Sequence, residues 1–249
     1  MKALDLHRWD VTPADARDIQ VRLRERMERQ DRIGKIRYVA GADIALELAG
    51  HGSWRTGQGR AIAGVIVYRF PEMEEVERAS SIQPLRFPYV PGLLSFREIP
   101  ALLAAFELLR TSPDLIFCDG QGYAHPRRFG LASHLGVVLD VPSIGVAKSI
   151  LIGECKEPGR RAGSTAALID AATSEQVGAA VRTATGVKPV YVSAGNRISL
   201  ARAIELTMAV ADGFRIPRPT READHFVNEI RRKRRAQAAA TGGAAGEPG

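Results

Sequence analysis

Cysteine is nearly absent, with 2 in 249 residues. Cys118 and Cys155 are too few for a disulfide framework or a four-ligand zinc site, which fits a reducing compartment and leaves Cys118 to fill core space. No apolar run approaches the ~18 residues a membrane span requires. The opening MKALDLHRWDV also lacks the apolar stretch of a secretory signal. A cytoplasmic protein with no membrane association is therefore expected. There is no internal repeat, which excludes solenoids and arrays. An acidic excess is missing too: 35 Lys and Arg face 28 Asp and Glu, for a net charge of +7 and a pI near 9.8. That balance suits a polyanionic partner and is equally compatible with a merely soluble basic protein.

The chain does have ordinary globular material. Apolar residues make up 45% and charged residues 25%, enough to bury a sizeable core and to exclude wholesale disorder. The length fits one domain, expected over residues 1–235. Thr12, Pro13 and Asp15 read as an N-cap, a proline at the first helical position and a first-turn acid. They open an amphipathic helix expected to run to about Asp31. IRYVAGADIAL (36–46), AIAGVIVYRF (61–70) and EEVERASS (74–81) read as the strands of an antiparallel meander, with the turn-rich AGHGSWRTGQGR between the first two. Beyond it come a helix over 93–110, its regular part mainly after Pro100, and a short buried strand over 114–120. A helix over 125–139, strands over 142–149 and 189–195, and a helix over 198–214 follow. A meander followed by alternating strands and helices predicts an α/β fold, a mixed sheet flanked by helices. A last helix begins near Thr220. The Ala, Gly and Pro of AQAAATGGAAGEPG predict a disordered tail over 236–249.

Four acids stand where chemistry could use them. Asp43 interrupts an apolar strand, and a carboxylate buried there must be paired, hydrogen-bonded or bound to metal. On the open face of an edge strand it would simply be solvated. Asp119 ends the buried strand and precedes Gly120, at the carboxyl edge where α/β sheets bind ligands, although Asp-Gly is also a common turn. Glu98 lies where a helix begins and Asp224 in the final helix; singly, each is compatible with a surface acid. In this chain order the four match the arrangement of ribonuclease H-like nucleases, and such hard oxygen ligands suit Mg²⁺ or Mn²⁺. Two such ions can drive an in-line phosphodiester displacement.

Two further clusters stand out. In FPYVPGLLSFRE, Pro88 and Pro91 bracket Tyr89 and Val90, which predicts a stiff loop presenting an aromatic, either at the rim of a core or as a wedge. DGQGYAHPRRFG sets His125, Arg127 and Arg128 close to Asp119, and Lys148 follows PSIGVA at the same edge of the sheet.

These blocks together resemble the endonuclease V family. GADIA, PYVPGLLSFRE, DGQGYAHPRRFGLASHLG, SIGVAKS and RIPRPTREAD follow that family's order and spacing across roughly residues 10–230. The resemblance implies a ribonuclease H-like fold and Mg²⁺-dependent hydrolysis, with Mn²⁺ able to substitute, of the second phosphodiester 3′ to a deoxyinosine in DNA. The products would carry a 3′-hydroxyl and a 5′-phosphate. It also implies Asp43, Glu98, Asp119 and Asp224 as metal ligands, and His125 and Lys148 as supports of the attacking water and the scissile phosphate. Tyr89, Val90 and Pro91 would be a wedge that helps a base leave the stack, and Gly92, Leu94, Gly120 and Leu131 would line a base pocket. A monomer is expected. Inosine-containing RNA is the alternative substrate, since no short signature marks contacts to the 2′-hydroxyl. One departure is Asn196, where family members often carry His, so no catalytic role is assigned to it. The run RRKRR (231–235) looks like a further extension, either a source of nonspecific DNA affinity or a solvated helix end.

Overall fold

The computed structural model describes residues 1–48 and 58–243. Most of the turn expected at 49–60 therefore lies outside the described residues. The elements run α1 (Pro13–Arg24), β1 (Tyr38–Leu48), β2 (Gly59–Arg69), β3 (Glu74–Pro84), α2 (Leu94–Glu107), β4 (Leu115–Cys118), α3 (Leu131–Leu139) and β5 (Ser143–Ala147). They continue with β6 (Thr165–Asp170), β7 (Glu175–Val181), β8 (Val190–Asn196), α4 (Leu200–Ala209) and α5 (Arg218–Gly243). The strands form one eight-stranded sheet in the order β3-β2-β1-β4-β5-β8-β7-β6. Among the described residues only the central pairs β1–β4 and β4–β5 are parallel. The expected mixed sheet flanked by helices is what the chain forms.

The period of two along each strand sorts side chains between two cores. Ala40, Ala42, Ile116 and Cys118 pack with Ile99, Leu102 and Phe106 of α2 and Leu135 of α3. On the opposite face Val39, Leu115, Phe117, Ile144 and Val146 pack with Ala203 and Leu206 of α4. Fully burying a side chain such as Phe106 or Phe117 contributes roughly 1.5–3 kcal/mol, so these two layers carry most of the stabilisation. α1 lies outside the first layer, its Ala16, Ile19 and Leu23 against Phe87, Phe96 and Phe129. No described helix is long and apolar enough to cross a membrane.

Several boundaries differ from expectation for local reasons. The capping box of α1 forms as read, the Thr12 hydroxyl accepting from Asp15 N and the Asp15 carboxylate from Thr12 N. The helix ends at Arg24 instead of near Asp31 because the following backbone is claimed elsewhere. Arg197 N donates to Glu28 O, Arg32 N to Arg197 O, and Glu28 N to Asn196 Oδ1. α2 starts before Pro100 and runs through it, its early turns held by buried Phe96 and Ile99. The segment 125–130 is not helical: Arg128 sits at φ 56° in a tight loop and α3 begins only at Leu131. Residues 236–243 continue α5 where composition predicts disorder, and 244–249 lie outside the described residues. The hairpin β6–β7 has no counterpart in the sequence reading, because small residues in TAALID and EQVGAAV carry little β-branched or aromatic signal.

Candidate active site

The length of β1 creates the site. β1 spans 11 residues and β4 only 4, pairing from Val39–Leu115 to Ala42–Cys118. Past that point, among the described residues, one side of β1 has no strand beside it. Asp43 is the first residue beyond the paired stretch, Asp119 follows the last residue of β4, and Lys148 follows the last residue of β5. The notch is thus at the carboxyl edge of the parallel strands, where such sheets bind ligands.

Helices close the notch from both layers. α2 supplies Glu98 from one face. α5 supplies Asp224 from the other, and two glycines let it come close. A Cβ on Gly41 would lie 1.9 Å from the Pro219 carbonyl oxygen, and one on Gly64 would lie 2.6 Å from Val227 Cγ1. Backbone therefore rests nearly on backbone, and Asp224 is brought down to β1. One carboxylate oxygen from each of Asp43, Asp119 and Asp224 lies within 4.8 Å of the others. Lys148 Nζ is 2.5 Å from Asp119 Oδ2 and 3.8 Å from Asp224 Oδ1.

Among the described residues, Lys148 is the cation paired with these acids, too little positive charge to balance them. Burial, then the charges of Asp119 and Asp224, push Asp43 up to about 8 against a backbone hydrogen bond from Ile44 and the Lys148 charge. Burial, then Asp43 and Asp119, push Glu98 up to about 8, so Glu98 shares the field of the cluster without joining the close trio. Burial works against the Lys148 charge, but its bond to Asp119 and the neighbouring carboxylates raise its pKa overall. Oxygen-only donors under mutual repulsion fit a hard divalent cation, with Asp43, Asp119 and Asp224 as the residues placed to hold it and Glu98 beside them.

Next to the acids is a cavity of about 330 Å³. Tyr89, Val90, Pro91, Gly92, Leu94, Gly120 and Leu131 all line it, together with Asp119, His125 and Lys148. The residues picked from sequence are thus gathered into one cleft, with Asp43, Glu98 and Asp224 around the carboxylate cluster. Tyr89 is 47% exposed. Gly92 adopts φ 76°, open to glycine at little cost.

The loop carrying Tyr89 is braced from beneath. The Gly92 carbonyl oxygen accepts from Arg127 Nη2 at 2.6 Å, His125 Nε2 at 3.0 Å and Gln20 Nε2 at 3.1 Å. Arg127 Nε donates to Gln20 Oε1, and Gln20 Nε2 also reaches Phe129 O. His125 Nδ1 accepts from Arg127 N, so the ring is neutral with its proton on Nε2. Burial, then the Arg127 charge, lowers its pKa to about 4. Both His125 nitrogens are engaged by backbone, Nε2 on the Gly92 carbonyl and Nδ1 by Arg127 N, while the ring lines the cavity together with Asp119 and Lys148. Asn196 is structural: buried, it accepts from Glu28 N and donates to Gly136 O.

Sequence reasoning missed Gln20, Ser95, Gln121, Ile150 and Leu151 on the cavity wall. Gln20 did leave a trace, a polar residue within the buried stripe Ala16, Ile19, Gln20, Leu23 of α1. A larger hollow of about 590 Å³, lined by Met27, Arg29, Tyr123 and Gln176 among others, contains none of the four acids.

The endonuclease V family profile matches residues 20–225, a stretch that takes in the acids and the cavity loop. An endonuclease V of Trichormus variabilis is 47% identical over 229 residues, covering 92% of this chain and 99% of the relative. The crystal structure of the endonuclease V of Streptomyces avermitilis has a TM-score of 0.81 at 41% identity, covering 94% of this chain and 96% of that one. Ciona intestinalis endonuclease V, solved in complex with a 24mer DNA containing an inosine followed by a ribo-adenosine, has a TM-score of 0.77 at 30% identity, covering 88% of this chain and 98% of that one. With sequence, fold and acid cluster in agreement along nearly its whole length, the chain belongs to the endonuclease V family and is a nuclease.

Proposed function

We propose that the chain is a Mg²⁺-dependent DNA repair endonuclease that hydrolyses the second phosphodiester bond 3′ to a deoxyinosine, leaving a 3′-hydroxyl and a 5′-phosphate. Mn²⁺ is expected to substitute. The observation that carries this reading is the convergence of Asp43, Asp119 and Asp224 beside a cavity walled by the Tyr89 loop. The relative solved with inosine-containing DNA supports the choice of lesion.

Divalent cations held by the acids would lower the pKa of an attacking water and offset charge building on the phosphate. Lys148, already cationic at the rim, is placed to hold a phosphate oxygen. Tyr89, with Val90 and Pro91, fills the gap left in the stack as the lesion base turns out, and the base enters the cavity against Gly92, Leu94, Gly120 and Leu131. His125 keeps the Gly92 carbonyl in place and, with Lys148, supports the attacking water and the scissile phosphate. The protein acts as a monomer of one domain over 1–235.

The test compares matched strands bearing one deoxyinosine, one inosine ribonucleotide or neither, each with Mg²⁺ and with chelator. Cation-dependent cutting of the deoxyinosine strand alone is the expected result. Preferential cutting of the RNA strand would make the chain an inosine-specific endoribonuclease, and equal cutting of the unmodified strand would remove the lesion from the reading altogether.

A further inference from the structure

The basic run at the end of α5 is part of the same helix that delivers Asp224. At 100° per residue, Asn228, Arg231 and Arg235 (i+4, i+7 and i+11) point within about 40° of Asp224. A rise of 1.5 Å per residue sets Arg231 roughly 10 Å and Arg235 roughly 16 Å along the axis from it. The extension is anchored and not left to fray. Val227 and Ile230 pack with Ala45 and Ile62, and one turn further Arg234 Nε reaches Glu47 Oε2 at 3.2 Å. Lys233, on the face away from Asp224, is paired with Glu229 at 2.6 Å. Among the described residues no carboxylate lies within ion-pair distance of Arg231, Arg232 or Arg235.

We propose that the Asn228–Arg235 face of α5 is a docking surface for the phosphodiester backbone of the substrate duplex, tracking one flank away from the acid cluster. The proposal rests on the nuclease reading of that cluster. In duplex DNA a strand advances about 3.4 Å per nucleotide, so Arg231 and Arg235 meet phosphates roughly three to five base pairs from the cut. The contacts read no bases, and they bind damaged and undamaged DNA alike.

The experiment measures affinity of the full chain for a deoxyinosine duplex against salt, without divalent cation so that no cleavage intervenes. Each phosphate contact contributes about 0.9 to the slope of log affinity against log salt. The double variant R231A/R235A should flatten the slope by nearly two such contacts and weaken binding about tenfold or more at moderate salt, whereas K233A should leave it as in the parent. Trimming the duplex to two base pairs beyond the cut on one flank should erase the difference between parent and double variant, and trimming the other flank should not. An unchanged slope, or equal flattening by K233A, would overturn the proposal. A flattened slope in a protein that does not cut deoxyinosine would instead leave the surface intact and sink the nuclease reading.

Discussion

The acid cluster and the cavity beside it touch at Asp119, yet they are built on opposite terms. The cavity loop is saturated: three donors meet the Gly92 carbonyl oxygen, and His125 and Gln20 spend their polar atoms on backbone or on Arg127. The acids are unsaturated, held together against their own repulsion with Lys148 as the cation bonded among them. One region is shaped before anything arrives. The other is incomplete until positive charge arrives, so recognition and chemistry should respond to different perturbations.

The largest separation should come from Asp43→Asn, which keeps the shape and removes a charge. Cleavage should fall by more than about a thousandfold, as the proposed role of Asp43 in holding the catalytic ion requires. Ionising Asp43 costs the fold stability as pH rises from its unfolded value towards about 8, because its folded pKa is the higher of the two. The metal-free variant, spared that loss, should therefore melt close to the parent near pH 4, higher than it already at neutral pH, and with a constant lead above about pH 8. Cleavage kinetics and thermal melts in chelator check both halves, and a variant that loses stability at high pH would mean that Asp43 is structurally paired.

Loosening the cavity should give a smaller and different loss. Arg127→Ala removes one donor from the Gly92 carbonyl and one from Gln20, at about 1–3 kcal/mol of local order. Preference for deoxyinosine over unmodified duplex should drop about tenfold in a competition assay, while the Mg²⁺ concentration at half-maximal rate stays as in the parent. A shift in that concentration would mean that the two regions are coupled more tightly than their separate networks suggest.

The smallest effect is one of pH. With Asp43 and Glu98 both raised to about 8, protons compete with the cation below that value, so the rise in Tm on adding Mg²⁺ should be slight at pH 5, grow through pH 8 and then level off. A rise in Tm that is flat over this range would show that the acids are already ionised without metal.

Asp43 and Asp119 were legible in sequence because each sits where its chemistry clashes with its setting, an apolar strand and the stop of a buried one. Pro88 and Pro91 announced the Tyr89 loop for the same reason. Glu98 and Asp224, by contrast, were picked only by their order along the chain and the family resemblance. The brace beneath the loop was not legible, since Gln20 meets Gly92 and Arg127 from 72 and 107 positions away and nothing local marks such partners. His125 was picked for its short distance from Asp119 along the chain and does line the same cavity, but its bond to the Gly92 carbonyl had no local mark in the sequence. Composition misjudged the start of the tail because helix α5, already docked by Val227 and Ile230, extends into residues that could not found a helix alone.

The contact of Gly41 with Pro219 is stiff in a way side-chain packing is not. Core side chains can change rotamer or shift when a neighbour changes volume, and a core absorbs much of a mutation in that way. Where two main chains meet with no side chain between them, there is nothing to repack. The spacing between Asp43 and Asp224 is in effect gauged by a hard stop, and it should hold as the surrounding core softens on warming or drifts in sequence.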